Sequence, residues 1–263
     1  MDSAHLIGYT GALIVGLVLG LIGGGGSILT VPILVYLLGF NPIIATAYSL
    51  FIVGSSSLVG TIQKHKKKLV DFKTGLIFSF PSFIAVYLTR RYLVPSLPGT
   101  FFSVGDFILT KEIAVMLFFA IIMLLSSISM IKTKKEVVTT TKTQPYYITF
   151  IQGLVIGTIT GLIGAGGGFL YVPALVLWAK LPMKKAVGTS LVIITLNSLI
   201  GFTGDIQNID IQWPFLLTFS AVTIIGIILG GYFSKNVSNQ MLKKGFGYFT
   251  LIMACYIMYM ELA

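Results

Sequence analysis

The sequence predicts an all-α polytopic membrane protein built from two inverted-topology repeats, and three observations predict it. The 263-residue chain is 56% hydrophobic and only 10% charged, whereas soluble domains carry about a quarter charged residues. Two overlong apolar stretches carry the same glycine-rich text. The basic residues sort to one side of a membrane only if those two stretches fold back.

Too few polar side chains are available to cover a soluble globule, so spans come first. A crossing helix needs about 20 mostly apolar residues. Apolar stretches run over Leu6–Leu38, Ile43–Ile62, Thr74–Leu88, Phe107–Ile131, Tyr147–Ala179, Ala186–Thr203, Trp213–Phe233 and Gly245–Met260. The connections are short, and the longest is the Lys/Thr tract Lys132–Gln144, which has no apolar periodicity. The first stretch is read as a retained segment and not a cleavable signal, because it lacks a basic n-region.

Leu6–Leu38 and Tyr147–Ala179 are each 33 residues, about 50 Å if helical. Glycines and then a proline interrupt each one, and both residue types weaken helix interiors. Each stretch is therefore expected to form two short helices joined by a glycine turn at membrane depth, a re-entrant-like hairpin. Two short full passes would give the same parity.

The two stretches are copies. Residues 20–32 read GLIGGGGSILTVP and residues 161–173 read GLIGAGGGFLYVP, with nine of 13 positions identical at a shift of 141. The register continues through Ala45/Ala186, Ser49/Ser190, Leu50/Leu191, Ser57/Ser198 and Gly60/Gly201. The chain thus divides into residues 1–141 and 142–263, a first and a second membrane repeat.

Charge orients the halves. The chain has 18 Lys+Arg, eight Asp+Glu and a net charge of +10. Cytoplasmic loops collect lysine and arginine. If each long stretch crosses once, the basic residues split nine and nine. If each folds back, fifteen lie inside and three (Arg90, Arg91 and Lys111) outside. Each half then crosses an odd number of times and the halves are inverted, a common transporter plan. Both termini are expected outside. The excess charge anchors loops and implies no nucleic-acid partner; the partners expected are the lipid bilayer and a small anion.

A glycine turn that opens a helix presents free N–H groups and a positive dipole end, which suits an anion. The candidate substrate ligands are Gly23, Gly24, Gly25, Gly26 and Ser27 in the first turn, and Gly164, Ala165, Gly166, Gly167 and Gly168 in the second. In an inverted pair the two turns are expected to meet near the midplane. Ser49, Ser57, Thr189, Ser190, Asn197 and Ser198 add hydroxyls and an amide on matched faces of the following spans. No acid falls in the centre of a predicted span, so no proton relay or carboxylate cage is expected there. Arg90 and Arg91 stand at a span end and read as interfacial anchors; the alternative is that they attract anions to a vestibule.

One cysteine, Cys255, and two histidines, His5 and His65, supply neither a disulfide framework nor a metal site. No cofactor and no catalytic residue is expected, so the chain is not read as an enzyme.

The glycine hairpin followed by VP in each half (GGGGSILTVP at 23–32, GAGGGFLYVP at 164–173), with AVGTSL at 186–191 echoed as ATAYSL at 45–50, resembles the TauE/SafE family of sulfite exporters, also called the TSUP anion permeases. The resemblance covers almost the whole chain. It implies a secondary transporter of small sulfur-containing oxyanions such as sulfite or organosulfonates, in a bacterial cell membrane. The first half departs from the pattern: Ser27 stands where the second has Gly168, and ATAYS lacks the glycine of AVGTS. Proton or sodium coupling, direction and oligomeric state are left open by these residues. The alternative is a carrier of cations or metal ions that uses backbone carbonyls of the broken helices.

Overall fold

A computed structural model describes residues 3–104, 107–132 and 146–262. It is almost entirely helical. The helices are α1 (Ser3–Ile22), α2 (Gly25–Pro32), α3 (Pro42–Lys66), α4 (Phe72–Leu88), α5 (Lys111–Lys132), α6 (Tyr146–Ile163), α7 (Gly168–Leu177), α8 (Met183–Asp205), α9 (Trp213–Phe233) and α10 (Asn239–Leu262). A π-helical turn, Ile33–Leu37, prolongs α2, and Thr89–Leu93 followed by Val94–Ser96 prolongs α4. Among the described residues six helices are long and apolar enough to cross a membrane: α3, α4 with its extension, α5, α8, α9 and α10. The arms of both glycine-broken stretches are shorter apolar helices. The tract at 133–144 lies outside the described residues.

Glycine, not proline, makes the breaks. Gly23, Gly164, Gly166 and Gly167 have φ between +67° and +78°, a left-handed backbone that side chains with a Cβ disfavour. Pro173 sits inside α7 and Pro32 ends the regular part of α2. Neither terminates its arm; Ser126 Oγ donates at 2.9 Å to Phe169 O, the carbonyl that Pro173 leaves without its helical donor.

The first stretch folds back. Gly26 lies against Leu19 and Val15, Gly11 against Ile33, and Gly8 against Leu38. Contacts between later residues of one arm and earlier residues of the other define an antiparallel hairpin, so Leu38 returns to the level of Gly8. In the second stretch Gly167 lies against Thr160, seven residues apart like Gly26 and Leu19.

The two halves interlock by exchanging equivalent contacts. In α1, Gly16 packs on Thr223 and Gly226, and Gly20 on Ile227 and Gly230 of α9. In α6, Gly157 packs on Ser82, and Gly161 on Val86 and Thr89 of α4. These partners are the same positions shifted by 141. The central pair α3 and α8 repeats the pattern: Gly60 faces Leu191, and Gly201 faces Leu50. Small residues let these backbones approach closely, which drives helix association where lipid offers no hydrophobic gain.

Helices α3 and α8 run antiparallel. Near the end of α3, the Asp71 N–H donates to Thr189 Oγ1 at 2.9 Å, and Lys185 pairs with Asp71 at 3.8 Å. Near its start, Tyr48 Oη accepts from Gln212 N at 2.7 Å, beyond the C-terminus of α8. One end of the bundle therefore gathers residues 64–71, 184–189 and 231–239. The opposite end gathers residues 41–48, 89–96 and 205–215.

One element departs from expectation. Phe107–Thr110, placed by its hydropathy at the head of a spanning stretch, is a strand paired antiparallel with Thr100–Val104. The helix begins only at Lys111. Phe107, Ile108 and Thr110 are β-branched or aromatic, which favours a strand.

Candidate functional site

The two glycine turns touch. A Cβ on Gly24 would collide with the Gly168 carbonyl and Phe169 N, and one on Gly168 would collide with Gly24 Cα. No side chain fits between them, so the start of α2 crosses the start of α7 backbone to backbone. The first N–H groups of a helix have no intrahelical acceptor, so the crossing brings two such donor sets together.

Each turn also faces the central helix of the other half. Gly23 lies beside Ser190 and Val187 of α8, and Gly164 lies beside Thr46 of α3. Val187 and Thr46 are themselves related by the shift of 141. Gly166 faces Ser198 Oγ and Val53. Thus Gly23, Gly24, Gly164, Gly166, Gly168, Ser190 and Ser198 converge.

The hydroxyls divide into spent and free. Ser27 Oγ donates to Gly24 O at 2.6 Å and closes the first turn. Ser190 Oγ donates to Val187 O at 2.9 Å. Ser49, Ser57 and Ser198 are fully buried, and their hydroxyls have no hydrogen-bond partner among the described residues. A buried hydroxyl without a partner costs stability, so free hydroxyls beside a helix N-terminus suit a ligand. Thr189 Oγ1 is occupied by the Asp71 N–H. Asn197 Nδ2 donates to Tyr171 Oη at 2.6 Å and to Ser82 Oγ at 2.8 Å, tying α8 to α7 and α4.

Charge enters where the apolar pattern hides it. Arg90 was expected at an interface, but its side chain is fully buried. The π-helical turn carries α4 past its apolar stretch and turns Arg90 inward, where its Nε lies 3.4 Å from Asp205 Oδ2. Asp205 is the last residue of α8 and is also buried. A Cβ on Gly164 would land on the Arg90 guanidinium. The second glycine turn therefore has a cation against it, and the site is not built from neutral donors alone.

The first turn has a basic neighbourhood of another form. A cavity of about 330 Å³ is lined by Lys64, Lys67, Lys184, Lys235, Ser234, Leu21 and Val187 with two further leucines. Leu21 and Val187 adjoin Gly23, so the cavity leads from the lysine-rich end to the first turn. Lys64 is buried and donates to Ser234 Oγ at 2.7 Å, and Lys67 donates to Gly231 O at 2.7 Å. Burial, and then Lys235 nearby, hold the Lys67 ammonium below the usual lysine range. In the 141 register Lys64 corresponds to Asp205 and Gly231 to Arg90.

Among the described residues no group of three or more His, Cys, Asp or Glu could hold a metal ion. The family model "Sulfite exporter TauE/SafE" matches residues 9–257. A "Probable membrane transporter protein" of Xylella fastidiosa (strain 9a5c) is 27% identical over 253 residues, covering 94% of this chain and 92% of its own. The "Probable membrane transporter protein YunE" of Bacillus subtilis is 29% identical over 276 residues, covering 94% of each. The "Probable membrane transporter protein MJ0441" of Methanocaldococcus jannaschii is 27% identical over 257 residues, covering 88% of each. No solved structure matches the chain significantly. With the family match spanning nearly all of the crossing helices and both glycine turns, the chain belongs to the TauE/SafE family.

Proposed function

We propose that this protein is a secondary transporter of small sulfur-containing oxyanions, sulfite or organosulfonates, bound where its two glycine turns meet. The observation that carries the reading is the backbone contact of Gly24 with Gly168. Two helix N-termini at one point supply N–H donors and two positive dipole ends. Ser198 supplies a free hydroxyl beside Gly166. The names of the family and of its relatives agree with transport.

Residues 1–141 and 142–263 act as inverted halves that rock about the shared turns. The exchanged contacts of α1 with α9 and α6 with α4, and the antiparallel α3 and α8, support this division. The lysine-rich end faces the cytoplasm of a bacterial cell, and both termini face outward. The cavity of Lys64, Lys67, Lys184 and Lys235 is the cytoplasmic vestibule, concentrating anions before they reach Gly23.

The test is flux into liposomes containing the purified protein, against sulfite, sulfate, ethanesulfonate and acetate, with and without pH and sodium gradients. Saturable flux of sulfite or the sulfonate is expected. Saturable flux of none of these anions would refute the reading.

A further inference from the structure

Arg90 presents a buried charge that its packing does not use up. Its side chain is fully buried, and among the described residues Nη1 and Nη2 have no hydrogen-bond partner. Asp205 Oδ2 lies 3.4 Å from Nε, an ion pair in which neither atom has a hydrogen-bond partner among the described residues. Taking a guanidinium out of water is costly unless its donors are satisfied. Arginine–carboxylate pairs are frequently bidentate, with the carboxylate across two nitrogens. Here Nη2 instead lies against the Gly164 turn, where a Cβ would strike it.

We propose that Arg90 is the charged ligand of the transported oxyanion at the second glycine turn. Its free Nη1 and Nη2 take two oxygens of a sulfite or sulfonate group. Asp205 is the resident counter-ion that balances the charge when the anion is absent. Arginine suits this task because its planar fork matches two oxygens, which lysine does not do. The bound anion contacts the guanidinium beside the turn that opens α7, so one charged and one neutral donor set share it.

The repeat register supports a functional origin. Positions 90 and 205 correspond to Gly231 and Lys64. The pair is therefore not part of the packing that the halves share, although Val86 and Thr89 beside it are. Each half still sets a cation near the other half's hairpin tip. Arg90 of the first half faces Gly164 of the second. The Lys64 cavity reaches Leu21 and Val187 beside Gly23, with Lys184 and Lys235 of the second half on its wall.

The inference rests on the oxyanion reading above, and the experiment separates the two. Sulfite and ethanesulfonate flux are measured in liposomes for wild type, Arg90→Lys, Asp205→Asn and the double variant Arg90→Gln/Asp205→Asn. The double variant removes both charges together and so leaves no orphaned ion in the interior. Thermal melting of each purified protein reports folding. The double variant is expected to melt near wild type and to lose on the order of 100-fold in flux efficiency. Arg90→Lys keeps the charge without the fork and is expected to raise KM roughly tenfold. Asp205→Asn is expected to lower KM, because a competing internal anion is gone. A folded double variant with wild-type KM overturns the assignment while leaving oxyanion transport standing. If the double variant does not fold, wild-type KM in folded Arg90→Lys overturns it. Absence of flux in wild type overturns both.

Discussion

Gly24 and Gly168 meet backbone to backbone, and neither position has room for a Cβ. The contact fixes where the two hairpins cross. Valine at Gly24 is expected to destabilise the protein by about 1–3 kcal/mol through overpacking and to abolish flux. Thermal melting and liposome flux measure the two effects separately. Wild-type flux in a folded Gly24→Val variant would remove the crossing from the substrate path.

The arrangement of loops predicts sidedness. Ser96 lies at the end that holds Arg90 and Asp205, and Lys68 at the lysine-rich end. In a Cys255→Ser background, Ser96→Cys is expected to react with an impermeant maleimide in intact cells. Lys68→Cys is expected to react only after permeabilisation. The reverse result would invert the membrane orientation and place the lysine cavity outside.

The lysine cavity predicts a salt- and pH-dependent capture step. Replacing Lys67 or Lys184 with glutamine is expected to raise KM for sulfite several-fold at low ionic strength and by less at high salt, because vestibule charges are screened. Lys67 has its ammonium form disfavoured by burial and by Lys235. It therefore loses its charge at a lower pH than an ordinary lysine. Sulfite affinity is expected to fall as pH rises through that lowered range, and the Lys67→Gln variant is expected to lack this part of the fall. KM measured against pH for the two proteins makes the comparison.

The helices and both hairpin breaks were legible in the chain because their signals are local. Apolar length marks the spans, and glycine runs mark the turns. Even the approach of the turns was expected from the reading of two matched hairpins in inverted halves, and Gly24 does meet Gly168. The burial of Arg90 was not legible, because an arginine just past an apolar stretch looks like an anchor or a vestibule charge. Only the π-helical continuation through Thr89–Leu93 rotates it inward. Asp205 was missed for a related reason: it stands two residues beyond the apolar stretch ending at Thr203, yet α8 continues through it. The strand Phe107–Thr110 shares its apolar character with the helix that follows, and hydropathy alone does not separate them. The partners of Tyr171 were invisible because they lie on two other helices.

Those partners set the last prediction. Tyr171 Oη, Ser82 Oγ and Asn197 Nδ2 form a closed buried triangle with bonds of 2.6 and 2.8 Å. Asn197 turns its amide nitrogen to both oxygens, while its Oδ1 has no partner among the described residues. The geometry makes it a brace between α8, α7 and α4. Tyr171→Phe and Asn197→Ala are each expected to cost about 1–3 kcal/mol, since each orphans buried polar groups. The double variant is expected to cost less than the sum, because the two act in one network. Thermal melting of all four proteins gives the coupling. Flux assays decide the role: a brace leaves KM for sulfite near wild type in whatever fraction remains folded, whereas a ligand raises KM without lowering the melting temperature.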